Sequence, residues 1–284
     1  MSRFRTLSSL PSFFRNLGST YRYVLFTAVG AVLVVFLSHS ASAQNQPASD
    51  PQALTYAAQS IAAMTGSTTV SDVTLTGTVT WNGGGASQSG TATLLALGTA
   101  ESSMNLALQN GTWKEIRDAQ TGATLGQWTN STSSGMFASQ NCQTDAVWFF
   151  PVLGALAAGP NVVLSYIGQT TWNGITVQQI QSYVYQANWP TGVTPTAQQL
   201  STMNFYLNAT TLLPVAVTFN AHPDNNANTN LLIEVDFSNY QTMSGVQVPT
   251  LIQKFSQGNL LVAVTVTGAS FNTGLPLSDF TISN

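Results

Sequence analysis

Between Asp72 and the C-terminus, apolar and polar residues alternate along short runs that turn sequences separate. One side of the first run carries Val73, Leu75, Val79 and Trp81. Threonines occupy the other side, and Gly77 interrupts the apolar side, which predicts a bend or a close backbone approach there. A period of two residues is typical of half-buried β-strands, whereas an amphipathic helix has a period of about 3.6 residues. The pattern therefore predicts a sheet over most of the chain.

Asparagine–glycine pairs separate several of these runs, among them Asn82-Gly83, Asn110-Gly111 and Asn173-Gly174. Such pairs favour two-residue turns with positive φ and are a strong short-range signal for a β-hairpin. Further strands are predicted at 90–97, 104–108, 113–117, 162–167, 175–185, 205–207, 215–219, 231–237, 246–255 and 260–271. About ten strands in hairpin order, without long helices between them, predict an antiparallel meander rather than a parallel sheet.

Short stretches depart from the strand pattern. After Asp50-Pro51, apolar residues recur at helical spacing as far as Gly66, which predicts one amphipathic helix. The apolar, alanine-rich stretch 144–159 begins with capping residues and ends at a glycine, so it predicts a short helix that starts or kinks at Pro151. A further helical turn is predicted at 195–202. The fold class is therefore mainly β (α+β).

The first 43 residues have the organisation of an export signal. Four arginines precede residue 23, an apolar run follows over 23–37, and Ala41-Ser42-Ala43 has the form of a cleavage site. We predict a cleaved signal peptide over residues 1–43, a linker over 44–49 and a single domain over 50–284, with no membrane span after cleavage. A retained membrane anchor is the alternative, but the apolar run is short for that role.

The cysteine content agrees with a bacterial export route. Cys142 is the only cysteine, so no intramolecular disulfide can form and the core alone must stabilise the fold. This favours the periplasm or the outer surface of a Gram-negative cell over eukaryotic secretion. We therefore expect a periplasmic or extracellular protein.

Charge is scarce and excludes one class of partner. Beyond residue 43 the chain has three cations, Lys114, Arg117 and Lys254, against ten acids. Three cations cannot neutralise a run of phosphates, which excludes nucleic acid as a partner. Charged residues make up 6% of the chain, against about 25% in most proteins. Few groups can then change their pKa on folding, so we expect stability to depend weakly on pH.

Catalytic and metal-binding motifs are also scarce. His222 is the only histidine beyond residue 43, and its polar neighbours predict a solvated turn. One histidine and one cysteine are too few for a zinc site, and neither a nucleophile elbow nor a phosphate loop is present. Glu234 and Asp236 share one strand face at a spacing that paired catalytic carboxylates can have, but exposed strand faces commonly carry such residues. We predict a protein that is not an enzyme and needs no cofactor or metal.

Motifs in the C-terminal half resemble those of LolA-like proteins and follow the same order. The segment 206–219, with Leu213-Pro214, resembles that group's strand–turn–strand with "LP". The segments 235–240 and 244–249 resemble its "FSDY…dGv.vP" hairpin, and 271–280 resembles its closing "N…L.d..F". Upstream, Tyr166-Ile167-Gly168 with Trp172-Asn173-Gly174 resembles "y.G…v.G". With the leading helix, the resemblance covers residues 50–282.

The LolA-like superfamily includes the periplasmic lipoprotein carrier and the sensor regulator RseB. The resemblance implies an incomplete barrel, in which a curved antiparallel meander sheet has its concave face covered by the N-terminal helix and a short helix. Acyl chains bind between sheet and helices in the carrier. The carrier's cleft depends on an arginine that no motif of this sequence matches. Arg117 is the only arginine beyond residue 43.

Two functions are compatible with these features. The first is the binding of an acyl chain, a lipid or a lipoprotein-like apolar ligand, with the lid side of the site formed by Trp148, Phe149, Phe150, Leu153 and Leu156. The second is a structural or protein-interaction module of the cell envelope, whose partner pairs with an open sheet edge. An apolar cavity on the concave face favours the first function. A filled core with a bare edge favours the second, and the five residues then only fill the core.

Overall fold

The alternating runs form one antiparallel sheet. The computed structural model describes residues 47–282 except 84, 123, 143, 155, 157, 158, 160 and 187–191, so the predicted signal peptide and most of the linker lie outside the described residues. The strands of the described part are β1 (Asp72–Trp81), β2 (Gln88–Leu97), β3 (Glu101–Leu108), β4 (Gly111–Asp118), β5 (Leu125–Asn130), β6 (Ser134–Met136), β7 (Val162–Trp172), β8 (Ile175–Val184), β9 (Met203–Asn208), β10 (Pro214–Ala221), β11 (Leu231–Met243), β12 (Val246–Ser256) and β13 (Asn259–Phe271).

The strand order confirms the predicted meander. Across the sheet the order is β6-β5-β4-β3-β2-β1-β13-β12-β11-β10-β9-β8-β7, so most strands pair with their neighbours along the chain. The pairing of β1 with β13 joins the two halves of the sheet. The strands β6 and β7 follow one another in sequence but form the two opposite edges. The sheet is therefore open and not closed into a barrel.

The N-terminal helix forms where the sequence predicts it. This helix, α1 (Pro51–Thr65), begins with the Asp50 carboxylate, which accepts a hydrogen bond of 2.7 Å from the backbone N–H of Gln52. It ends at Gly66, whose φ is 60° and whose N–H donates to the Ala62 carbonyl oxygen. Its buried face contacts β7, β8 and β12. The other helices are α2 (Ser139–Cys142), α3 (Thr194–Ser201) and a 3-10 helix (Leu277–Phe280).

The sheet is strongly curved. The short helix α2 contacts both β5 and β10, which are eight strands apart in the sheet order. In a flat sheet those strands would lie about 38 Å apart. The Asn141 side chain fixes the contact, because it accepts from the His222 N–H at 2.7 Å and donates to the His222 carbonyl oxygen at 2.9 Å. This confirms the curved, incomplete barrel.

The prediction of a solvated turn at His222 is wrong. The residue is 2% exposed, and its Nδ1 lies 3.0 Å from the Thr229 carbonyl oxygen. His222 is buried because the curvature of the sheet brings α2 against the end of β10, whereas Asp224 and Asn225 of the same turn are exposed. Nothing in the local sequence indicates that contact.

Two strands, β5 and β6, were not predicted from the alternation. On the concave side β5 presents Gly126 and Trp128, while Leu125 is 38% exposed. The strand β6 has only three residues, Ser134–Met136. Without alternating apolar side chains, neither segment differs from a loop in sequence.

Gly77 marks a close approach of two backbones, as its place in the alternation predicts. The pairing of β1 with β13 shifts register between Thr76 and Gly77. A Cβ atom on Gly77 would lie 2.1 Å from the Thr265 carbonyl oxygen. Only glycine fits this position, because the neighbouring atom is backbone and cannot rotate away.

Replacing Gly77 by alanine is therefore expected to lower the free energy of unfolding by about 2 kcal/mol through overpacking. Chemical denaturation of Gly77→Ala beside the parent chain measures the change. Gly192→Ala is the matched control, since a Cβ atom there meets no atom within 4 Å. A Gly77→Ala chain as stable as the control would contradict the close approach.

Candidate functional site

The connection from β6 to β7, residues 137–161, carries the five residues predicted to bind ligand. We name it the crossover, because it joins the two opposite edges of the sheet. Its described residues 144–154 lie over the concave face as consecutive turns, with the Phe150 N–H donating to the Val147 carbonyl and the Leu153 N–H donating to the Phe150 carbonyl, both at 3.2 Å. The predicted regular helix is absent here among the described residues. Pro151 has no N–H to donate and disfavours helical backbone in the residue before it.

All five predicted residues are buried in the core. Phe150 and Leu156 are fully buried, and the other three are at most 5% exposed. The Trp148 and Phe149 rings meet edge to face at 5.6 Å, and Phe150 packs on Phe271 of β13 at 6.0 Å. The crossover thus fills much of the concave face with its own side chains. Burying each such side chain stabilises the fold by about 1.5–3 kcal/mol.

Asp145 anchors the crossover to the two halves of the sheet. Its carboxylate accepts two hydrogen bonds from Arg117 of β4, at 2.8 Å from Nε and 2.7 Å from Nη2. Lys254 of β12 places Nζ 3.7 Å from the same carboxylate. Two aromatic rings of the crossover complete the cluster: Phe137 lies 4.2 Å from the Arg117 guanidinium, and Trp148 lies 4.7 Å from the Lys254 ammonium.

The cluster stays ionised despite its burial. Burial disfavours the charged form of Asp145, but Arg117 and Lys254 outweigh it and hold the pKa of the carboxyl below its usual value. Burial also disfavours the charge on Arg117, yet Asp145 and Glu115 raise its pKa. Burial raises the pKa of the neighbouring Cys142 thiol to about 11, which leaves it protonated and unreactive at neutral pH. The role that the geometry gives to Arg117 is to hold the crossover.

An apolar crevice remains open beside the crossover. It has a volume of about 450 Å³ and lies between α1, the loop after it, the β2–β3 turn and the crossover. Its apolar lining comprises Ala58, Ile61, Ala62, Val70, Val152 and Leu153. Leu153 is thus the one predicted residue that also lines this crevice. The volume lies within the usual range of about 300–1,000 Å³ for small-molecule sites.

The carboxylate pair Glu234 and Asp236 lies on the opposite face of the sheet, since the Val235 between them is fully buried. The Trp172 indole N–H donates to Asp236 at 3.2 Å, and its ring stacks on Tyr206 at 4.2 Å. Burial raises the pKa of both carboxyls, and the charge of Asp236 raises that of Glu234 further. The pair is therefore coupled to one aromatic cluster on the outer face.

In the described part of the chain, no three His, Cys, Asp or Glu side chains come close enough to hold a metal ion. Within the same residues, no helix has the length and apolarity needed to cross a membrane.

No family model matches the chain, and no curated protein matches it in sequence. Solved structures do match. A DUF1329 family protein from Desulfovibrio piger has 9% identity and a TM-score of 0.49, with 83% of this chain and 98% of that chain covered. A putative outer membrane lipoprotein-sorting protein domain from Vibrio parahaemolyticus has 14% identity and a TM-score of 0.49, covering 80% and 95%. A LolA superfamily protein from Nitrosomonas europaea has 8% identity and a TM-score of 0.47, covering 81% and 97%. The structural neighbours thus include the superfamily that the sequence motifs resemble.

The ion cluster makes Asp145 critical for stability. Asp145→Asn removes the carboxylate that accepts two hydrogen bonds from the buried Arg117 guanidinium and leaves it only the longer ion pair with Glu115, whose Oε2 lies 3.6 Å from Nη2. Breaking a buried pair costs about 3–5 kcal/mol. We expect a loss of that size in urea denaturation at pH 7. The exposed Asp224 supplies the control, Asp224→Asn, which is expected to stay within about 0.5 kcal/mol of the parent. Equal stability of the two variants would contradict the anchoring role.

For the carboxylate pair Glu234 and Asp236, acid is expected to stabilise the fold, whereas at Asp145 it is expected to destabilise it. Because the pKa of Glu234 is raised on folding, its ionisation opposes folding above the ordinary carboxyl pKa of about 4.3. Glu234→Gln should therefore raise the melting temperature at pH 7, and the gain should shrink toward pH 4. Thermal denaturation at both values measures it, again with Asp224→Asn as control. A gain that is the same at both pH values would contradict the coupling.

Proposed function

We propose that this chain is an exported, non-catalytic binding protein for an acyl chain, a lipid or a lipoprotein-like apolar ligand. The observation that carries the proposal is the open apolar crevice between α1 and the crossover. An apolar ligand that leaves water there gains about 25 cal/mol per Å² of buried apolar surface. Export to the periplasm or the cell exterior is part of the proposal and rests on the N-terminal sequence.

The side chains around the crevice suit an unbranched apolar ligand. On α1 the wall is made by Ala58 and Ala62, whose small side chains leave room above the helix. Val152 and Leu153 form the facing wall and are each 5% exposed, so the crevice is continuous with the buried core. Among the described residues, those that line it are all uncharged. A polar or ionic headgroup would remain at the open side, in water.

The five residues that the sequence predicts to bind ligand have two different roles in this proposal. Leu153 contacts the ligand directly, while Trp148, Phe149, Phe150 and Leu156 form the rigid packing beneath the crossover. The anchor at Asp145 holds the crossover in place on one side of this packing. In this proposal the ligand lies in an open crevice at the margin of the core and not in a cavity enclosed by it.

A second candidate function rests on the edge strand β7. Near its start this edge is covered, because the Asp50 N–H donates to the Leu164 carbonyl and the Leu164 N–H donates to Ser49 Oγ. Further along, Ile167 is 52% exposed on the same strand. A partner protein of the envelope could add a strand there. The core filled by the crossover agrees with this alternative, whereas the crevice favours ligand binding.

The decisive experiment measures palmitate binding by native mass spectrometry and by calorimetry. The full chain is produced with its own N-terminal segment and purified without detergent. We expect bound lipid, or uptake of palmitate, in the parent protein. Ala62→Trp fills the crevice from the exposed side of α1 and is expected to weaken palmitate binding at least tenfold.

Gln59→Trp is the matched control, because Gln59 is exposed on α1 and does not line the crevice. It should bind palmitate as the parent does. Absence of any uptake of palmitate or phospholipid by the parent would overturn the proposal in favour of the interaction module. Equal binding by Ala62→Trp and Gln59→Trp would show that the crevice is not the site.

A further inference from the structure

The loop between α1 and β1, residues 66–71, forms one wall of the crevice and has little packing of its own. Residues 66–70 line the crevice, together with α1, the β2–β3 turn and the crossover. Residues 66–69 are exposed, whereas Val70 is partly buried and packs against the core. Because the loop buries so little apolar surface, hydrophobic packing alone does not fix its shape.

The side chain of Asn272 holds the far end of this loop. Its Oδ1 accepts hydrogen bonds from the backbone N–H of Ser71 at 2.7 Å and from the Ser71 hydroxyl at 3.0 Å. Its Nδ2 donates to the Thr69 carbonyl oxygen at 2.7 Å. We name these three bonds the Asn272 clamp. The clamp fixes the residue before Val70 and the residue after it, and Val70 is the apolar residue that the loop contributes to the crevice.

The clamp is itself anchored to the middle of the sheet. Asn272 directly follows β13, and its backbone N–H donates to the Asp72 carbonyl oxygen of β1 at 3.1 Å. The buried Asp72 carboxylate accepts in turn from the backbone N–H groups of Thr273 at 2.9 Å and Gly274 at 3.0 Å. The segment after β13 is therefore bound to the start of β1. Through the clamp, the paired strands β1 and β13 hold the loop.

The near end of the loop is held by α1. The Gly66 N–H donates to the Ala62 carbonyl oxygen at 2.8 Å, and the Thr68 N–H donates to the Thr65 carbonyl oxygen at 3.0 Å. The loop is thus tied at both ends and exposed between them. Releasing one end would let its backbone sample other conformations, and a ligand would then have to order it again. A wall that is already in place spares the ligand that entropy cost.

We propose that Asn272 is a positioning residue for the ligand site, which keeps Val70 in the wall of the crevice before an apolar ligand arrives. The inference rests on the proposed function, because it assigns a role at the same crevice. Asn272 is not among the residues that line the crevice, so it acts through the loop and not by touching the ligand. Its effect on binding is to preorganise the wall.

Asn272→Gly removes the clamp without straining the backbone, because glycine readily adopts the left-handed φ of 55° found at this position. Well below the midpoint of unfolding, calorimetry should show that this variant binds palmitate about fivefold more weakly than the parent. Hydrogen exchange of the loop amides in the ligand-free full chain should become about tenfold faster. Asn173→Gly is the matched control, since Asn173 is exposed, has a φ of 46° and does not line the crevice.

Asn272→Asp separates the two halves of the clamp. Its carboxylate still accepts from Ser71, but it presents an oxygen to the Thr69 carbonyl oxygen in place of the amide donor. We expect exchange of the loop amides to be faster than in the parent and slower than in Asn272→Gly. Palmitate affinity should follow the same order.

Equal palmitate affinity in Asn272→Gly and Asn173→Gly would overturn the inference and leave the proposed function standing. If exchange of the loop amides were faster in Asn272→Gly at that equal affinity, Asn272 would only stabilise the loop. A parent protein that binds no palmitate would overturn the proposed function, and with it the role of Asn272 in binding. The exchange measurement needs no ligand, so it shows in every case whether the clamp holds the loop.

Discussion

The connection from β6 to β7 has to pass over the concave face, because the strands that it joins form the two edges of the sheet. The path is stabilised at one point by charge: Asp145 binds Arg117 from one half of the sheet and Lys254 from the other. β4 and β12 are five strands apart in the sheet order, so this carboxylate holds the curvature as well as the crossover. The burial of Trp148, Phe149 and Phe150 depends on that arrangement.

Charged side chains are scarce in this chain, and most of the cations beyond residue 43 belong to the cluster around Asp145. Two of the three cations beyond residue 43 are used in it, and its ionised state is maintained by mutual neutralisation and not by water. Glu234 and Asp236 form a second titratable pair, and burial raises the pKa of both carboxyls. Their protonation therefore changes the stability of the fold in the opposite direction to that of Asp145. Protonation of Asp145 weakens the fold as the pH falls, whereas protonation of the outer pair relieves repulsion. The weak overall dependence on pH that the sequence predicts stays a prediction.

The crossover also determines which spaces remain open. Because it occupies much of the concave face, the apolar space beside α1 is a crevice at the margin of the core. At the opposite end the face is closed by Trp81, Trp113 and Trp128, and the space next to them is bordered by amides. The curved sheet thus has an apolar crevice at one end and a more polar cleft at the other. The separation follows from the antiparallel topology, which gathers alternate turns at each end.

The local elements could be derived from the sequence, because each depends on neighbouring residues. Period-two alternation and Asn-Gly pairs placed the hairpins, Asp50-Pro51 and Gly66 bounded α1, and Gly77 marked the close approach to Thr265. The strands β5 and β6 are not marked in the sequence, because the concave side of β5 carries Gly126 and Trp128 in place of an apolar row and β6 has only three residues. The pairing of Arg117 with Asp145, the burial of His222 and the position of the crossover were decided only by the tertiary structure. Each depends on strands that curvature brings together from distant parts of the chain, and sequence spacing does not encode such distances.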